Sequence, residues 1–187
     1  MNVPNTLTLI RVILIPIFVL FYVFTIPNCD LWMGIVFVAA SVTDFFDGYL
    51  ARKWNQITVF GKFVDPIADK LLVLSALLIL MDANSDLVPF WVVLILLARE
   101  FIISGFRLVA VSKGVVIAAD KSGKLKTVFQ MVALALLLFN GLVFGWFGIL
   151  LGQICLYISV GLSVYSCFEY LIKNRSVFKD DNKPEEK

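Results

Sequence analysis

Apolar residues along this chain fall into six long runs, which occupy residues 7–26, 31–50, 60–81, 87–111, 125–143 and 147–172. Each run is close to the length of about 20 residues that an α-helix needs to cross a hydrocarbon layer. Short turn-forming stretches such as PNCD and DANSD separate the runs. The pattern predicts an all-α, polytopic membrane protein with six transmembrane helices. We expect one membrane domain over residues 1–173, followed by a polar tail at residues 174–187.

Composition supports a membrane location for this chain. Of its 187 residues, 60% are hydrophobic and 16% are charged, and the mean hydropathy is +0.93. Soluble domains are roughly 45–50% apolar, so a soluble fold of this length could not bury so much apolar surface. We therefore expect the cell membrane as the location, with membrane lipids as partners, and we expect no nucleic-acid partner.

The distribution of basic residues predicts the orientation. Lys and Arg cluster around the connections after the second and fourth runs and in the tail, whereas the connections after the first, third and fifth runs contain none. Cytoplasmic loops carry the excess of positive charge in membrane proteins. Both termini are therefore predicted to be cytoplasmic. At the N-terminus, Asn5 or Thr6 is expected to cap the first helix.

The chain contains no histidine, and its three cysteines lie far apart at Cys29, Cys155 and Cys167. These absences exclude histidine-dependent nucleophiles and make a structural zinc site or a disulfide framework unlikely. Any metal binding or acid–base chemistry must therefore depend on carboxylates.

Four aspartates form two pairs at helical spacing. Asp44 and Asp47 are three residues apart near the end of the second run, and Asp65 and Asp69 are four apart near the start of the third. Such spacings place each pair on one helix face. If the two faces meet, four carboxylates share one pocket at the cytoplasmic side. Oxygen ligands favour hard cations, so we predict a two-metal site for Mg²⁺ or Mn²⁺, as is common in phosphate chemistry.

The residues around these aspartates suit a phosphate ligand. Gly48 has no side chain, which would allow a ligand to approach the helix closely. Arg52 lies four residues farther along and can bind phosphate through two parallel hydrogen bonds. Thr58 and Gly61 lie on the connection that would close over the site.

The segment from Asp44 to Asp69 resembles the signature of the CDP-alcohol phosphatidyltransferase family, DxxDGxxARx8GxxxDxxxD. All eight fixed positions are present, in DFFDGYLAR and GKFVDPIAD, with the spacer of residues 53–60 between them. The resemblance implies a six-helix membrane bundle, commonly a homodimer, that transfers a phosphatidyl or similar group from a CDP-linked donor to an alcohol and releases CMP. The expected donor is CDP-diacylglycerol.

The resemblance also implies roles for individual residues. Asp44, Asp47 and Asp65 would be metal ligands, and Asp69 a further ligand, the general base, or both. The donor site would be lined by Asp47, Gly48, Ala51, Arg52 and Gly61, with Thr58, Asn5 and Thr8 as weaker candidates.

A surplus of cations favours a phosphorylated acceptor, which we expect to be glycerol 3-phosphate. Candidate ligands for its phosphate are Arg107, Lys124, Lys126, Lys62 and Arg99. The lysines could instead set the topology, and Arg99 could pair with Glu100 or with another helix. Inositol phosphate or serine remain alternative acceptors. A divalent-cation transporter is a less favoured function, because transport sites lie near the midplane of several spans, and a structural membrane protein leaves the spacing of the aspartates unexplained.

Overall fold

A computed structural model describes residues 3–53, 59–115, 117 and 121–175 of the chain. All the regular structure in these residues is helical, which confirms the all-α prediction. The six helices are α1 (Val3–Val23), α2 (Cys29–Lys53), α3 (Val59–Ala83), α4 (Phe90–Ser112), α5 (Lys121–Leu138) and α6 (Gly145–Lys173).

Each helix overlaps one predicted apolar run, with ends that differ from the predicted bounds by up to five residues. Helix α1 already includes Val3, so Asn5 and Thr6 lie inside the helix and the predicted cap is wrong. Helix α5 ends at Leu138, before the predicted end of its run at residue 143. The reason is local, since Asn140 and Gly141 adopt positive φ angles of 45° and 77° that end a right-handed helix.

The most extensive helix pair is α5 with α6, and small residues make it close. The buried face of α6 carries Gly148, Gly152, Ser159, Ser163 and Ser166 at intervals of three, four or seven residues, which place them on one side of the helix. A Cβ atom at Gly152 would lie 2.9 Å from Cγ of Leu137 on α5. Small residues at such an interface let two backbones approach closely, as in membrane helix pairs.

The outer surface of the bundle is strongly apolar. Phe101 and Leu108 are each 73% exposed, and many other large apolar side chains also point outward, while several serines of α6 are buried. Such a surface suits lipid rather than water. Within the described residues, only α6 is long and apolar enough by itself to qualify as a membrane span. Helix α4, for example, carries three charged residues, Arg99, Glu100 and Arg107.

The bundle has two ends that differ in their polar contacts. The motif end is where α2 ends and α3 begins, and the opposite end is where α1 ends and α2 begins. At the opposite end, Tyr22 Oη donates a hydrogen bond to Asp82 Oδ2 at 2.7 Å. Asn140 Nδ2 donates one to Asp30 Oδ2 at 3.0 Å. These exposed contacts link α1 to α3 and the α5–α6 connection to α2.

Candidate active site

The signature residues lie on two helix ends that five residues join. The last turns of α2 carry Asp44, Asp47, Gly48, Ala51 and Arg52, and the first turns of α3 carry Gly61, Lys62, Asp65 and Asp69. Among these residues the structure describes only the side chain of Asp69. Thr58 lies outside the described residues, and Asn5 and Thr8 lie in the first turns of α1, where side chains are likewise not described. The predicted convergence of the four carboxylates therefore stays a prediction.

Asp69 is half-buried on the wall of a cavity of about 360 Å³ between α3, α4 and α5. The polar lining residues are Asp69, Lys70, Glu100, Lys126, Thr127 and Gln130. Apolar side chains, among them Leu74 and Leu77 of α3 and Leu96 of α4, line the same cavity. One cavity therefore combines charged and apolar lining.

Glu100 is the centre of an ion-pair network on this wall. Its Oε1 atom accepts hydrogen bonds from Arg99 Nη1 at 3.0 Å and from Lys126 Nζ at 2.5 Å. Arg99 Nη2 also donates to Ser166 Oγ on α6 at 3.2 Å. The network thus connects α4, α5 and α6. Lys126 is only 2% exposed, and a cation so deeply buried is stable only beside a partner.

A glycine makes room for this network. A Cβ atom at Gly123 would lie 3.1 Å from Nη2 of Arg99, closer than ordinary van der Waals contact. The first turn of α5 can therefore pass directly beside the guanidinium. This geometry agrees with the reading in which Arg99 pairs with Glu100 and a neighbouring helix.

Two of the other cations predicted for the acceptor phosphate, Arg107 and Lys124, have no described contact with this network. Arg107 is exposed, and its Nε donates to the Tyr170 hydroxyl at 3.3 Å, while its guanidinium carbon lies 5.6 Å from the centre of that ring. Lys124 is exposed on α5, and the side chain of Lys62 is not described. Of the five candidates, the described geometry brings together Arg99 and Lys126.

Sequence reasoning missed Glu100 as a member of the site, and also the neighbouring Gln130 and Thr127. A signal for Glu100 was available, because ionisable residues inside an apolar span are costly and usually functional. Arg11 carries the same signal, since it lies inside the first run and its side chain is completely buried. Helix α1 packs against α2 and α3, so this cation lies among the helices that carry the four aspartates.

Comparison with known proteins decides the family. The family model described as CDP-alcohol phosphatidyltransferase matches residues 1–165. The chain belongs to this family. It is therefore an enzyme, a phosphatidyltransferase, and the resemblance drawn from the aspartate signature is confirmed. The cavity beside Asp69 is the candidate active site of this phosphatidyltransferase.

Close relatives of this phosphatidyltransferase share one name, CDP-diacylglycerol–glycerol-3-phosphate 3-phosphatidyltransferase. The chain is 42% identical to the one from Bacillus subtilis, over 97% of this chain and 99% of the relative. It is 40% identical to the one from Escherichia coli K12, over 96% of this chain and 98% of the relative. It is 38% identical to the one from Rickettsia typhi, over 95% of this chain and 99% of the relative.

Proposed function

We propose that the chain transfers the phosphatidyl group of CDP-diacylglycerol to glycerol 3-phosphate, giving phosphatidylglycerophosphate and CMP in phospholipid synthesis. The observation that carries this proposal is that Asp69, the last residue of a complete family signature, lines one cavity together with Lys70, Glu100 and Lys126. The names of the relatives support the choice of donor and acceptor.

The four aspartates are the residues that would hold divalent cations, Mg²⁺ or Mn²⁺. The donor set fits such ions because Asp44, Asp47, Asp65 and Asp69 offer only oxygen ligands, and Asp69 is half-buried at the cavity wall. Bound cations would neutralise the oxygens of the pyrophosphate. Gly48, Ala51, Arg52 and Gly61 would contact the CDP moiety, with Thr58, Asn5 and Thr8 at its margin.

Asp69 acts as general base in the proposed reaction. It takes the proton of the acceptor hydroxyl, whose oxygen forms a bond to the β-phosphorus of the donor. The bond from that phosphorus to the oxygen bridging to the α-phosphorus breaks, and this oxygen leaves with CMP. Arg52 can hold the leaving phosphate through two hydrogen bonds.

The charges on and beside the cavity wall support a phosphorylated acceptor. On the wall, Lys70 and Lys126 balance Asp69 and Glu100. Arg99, which binds Glu100, adds an excess of one positive charge. Arg107, Lys124 and Lys62 add further cations on the three helices that surround the cavity. An acceptor without a phosphate, such as serine, would not neutralise this excess of positive charge.

The test of the proposal is an acceptor panel. Purified protein receives CDP-diacylglycerol, Mg²⁺ and, separately, glycerol 3-phosphate, inositol phosphate or serine, and CMP release is measured. We expect release with glycerol 3-phosphate and none after chelation of the metal. Release only with another alcohol would refute the acceptor and leave the family assignment intact.

The proposal includes six crossings of the cell membrane, with both termini and the active site facing the cytoplasm, and assembly as a homodimer. The apolar outer surface of the bundle supports the crossings, and the basic connections support the orientation. Residues 174–187 would form the cytoplasmic tail.

Cys29 offers a test of this orientation. It lies just before the second predicted span and should therefore be on the extracellular side of the membrane. Burial raises the pKa of the Cys29 thiol, and the neighbouring Asp30 carboxylate raises it further. The reactive thiolate therefore forms at higher pH than in an ordinary thiol. With Cys155 and Cys167 replaced by alanine, a membrane-impermeant maleimide should label intact cells faster as the pH rises above about 8.5. Labelling only after lysis would reverse the orientation.

A further inference from the structure

We infer that the open carboxylate oxygen of Glu100 is a specificity determinant that accepts a hydrogen bond from the non-reacting hydroxyl of the acceptor. This inference rests on the proposed function, since it assumes a polyol phosphate beside Asp69. It assigns to Glu100 a contact with substrate in addition to its contacts with Arg99 and Lys126.

The distribution of contacts on Glu100 is the first argument. Both cations bind the same atom, Oε1. Within the described part of the chain, Oε2 accepts no hydrogen bond. Two cations on one oxygen fix the position of the carboxylate and leave the second oxygen available to a ligand.

Exposure is the second argument. The side chain of Glu100 is 31% exposed, against 14% for Arg99 and 3% for Lys126. The carboxylate is therefore the most accessible member of the network. It lines the same cavity as Asp69, so a small acceptor bound near the base can reach it. Arg99 and Lys126 are positioning residues for this carboxylate.

The chemistry of the acceptor is the third argument. Glycerol 3-phosphate has one hydroxyl that reacts, one phosphate that cations can hold, and a middle hydroxyl that needs an acceptor of hydrogen bonds. An ionised carboxylate is a strong acceptor for such a group. A site that is built to bind a hydroxyl rejects an analogue that lacks it, because the buried polar atom then stays unpaired.

The test compares two acceptors that share the phosphate and the reacting hydroxyl. They are glycerol 3-phosphate and 3-hydroxypropyl phosphate, which lacks the middle hydroxyl, and the measured quantity is the ratio of their kcat/KM values. Because both acceptors are measured on each preparation, the ratio does not depend on how much of the protein is folded. We expect the unmodified protein to prefer glycerol 3-phosphate by about ten- to a hundred-fold, the range of one hydrogen bond to a charged group.

Variants isolate the contribution of Glu100. Lys126→Met keeps the carboxylate, which Arg99 still binds, and should retain a reduced preference that stays well above that of a variant without Glu100. The double variant Glu100→Met with Lys126→Met removes the carboxylate together with the more deeply buried of its two cations and leaves Arg99 its hydrogen bond to Ser166. Its preference should fall to within about two-fold. Glu169→Gln is a control on α6, where Glu169 binds Ser122 and does not line the cavity, and it should behave as the unmodified protein.

The outcomes separate this inference from the proposed function. A double variant with the full preference, or an unmodified protein that uses both acceptors equally, overturns the role of Glu100 while CMP release with glycerol 3-phosphate still supports the proposed function. If CMP is released with neither phosphate acceptor but is released with another alcohol, both the role of Glu100 and the proposed function are overturned.

Discussion

The two ends of the bundle use polar groups in different ways. At the opposite end, polar contacts such as Tyr22 with Asp82 are exposed and connect helices at their termini. At the motif end, charged groups are buried within the bundle, as Lys126 and Arg11 are. Burying charge costs free energy that an exposed hydrogen bond does not. The comparison indicates that buried charge is kept near the signature helices, where Lys126 also lines the cavity, whereas exposed contacts are enough to hold helix ends together.

The largest expected effect comes from the carboxylate in the cavity. Asp69→Asn should lower CMP release by about a hundred-fold or more, because the amide cannot take the proton of the acceptor. Asp82→Asn is the matched control at the opposite end, where an amide oxygen can still accept from Tyr22. Both variants should retain the helical content of the unmodified protein by circular dichroism. Turnover close to normal in Asp69→Asn would contradict its role as base.

A smaller effect is expected from the buried cation of the network. Lys126→Met should lower the free energy of unfolding in detergent by about 2–3 kcal/mol, because Glu100 then keeps only Arg99 as a partner. Lys124→Met changes an exposed lysine of the same helix and should stay within about 0.5 kcal/mol. Equal stability of the two variants would show that the network does not stabilise the bundle.

The close packing of α5 and α6 gives the next effect. Gly152→Ala places a Cβ against Leu137 and should cost about 1–2 kcal/mol of unfolding free energy. Gly161→Ala is the control on the same helix, because no described atom lies within 4 Å of its Cβ position. This control should be neutral or slightly stabilising, since alanine favours helix. A loss of similar size in both variants would place the cost in the helix rather than in the interface.

The smallest effect is expected at the opposite end. Tyr22→Phe removes one exposed hydrogen bond to Asp82 and should lower the unfolding free energy by about 0.5 kcal/mol. Its kcat and KM for CMP release should be unchanged. A clear loss of activity in this variant would mean that the two ends are coupled, and that the distinction between them is wrong.

The sequence predicts the helices of this protein well, because long apolar runs leave the backbone few alternatives. It predicts Asp69 as a site residue because the spacing of the signature is specific. It does not predict where α5 ends, which depends on the positive φ angles of Asn140 and Gly141. The pattern of apolar residues carries no information about these local backbone angles.

The network around Glu100 could not be predicted for a different reason. Arg99 and Glu100 are adjacent in sequence, but Lys126 and Ser166 reach them only through the packing of α5 and α6 against α4. From the positions of the cations alone, Lys126 is predicted to bind the acceptor phosphate, and its contact with the Glu100 carboxylate is not foreseen. The same packing explains why Gly123 has to be small.

The pairing of Arg99 with its own neighbour Glu100 has a consequence for biosynthesis. If the helices enter the membrane as proposed, α4 is inserted with a counter-ion already on the same helix, which lessens the cost of bringing either charge into lipid. Lys126 arrives later, on α5, and reaches Glu100 only when the inserted helices associate. The contact between Glu100 and Lys126 would then form only after both helices are inserted, when the cavity beside Asp69 assembles.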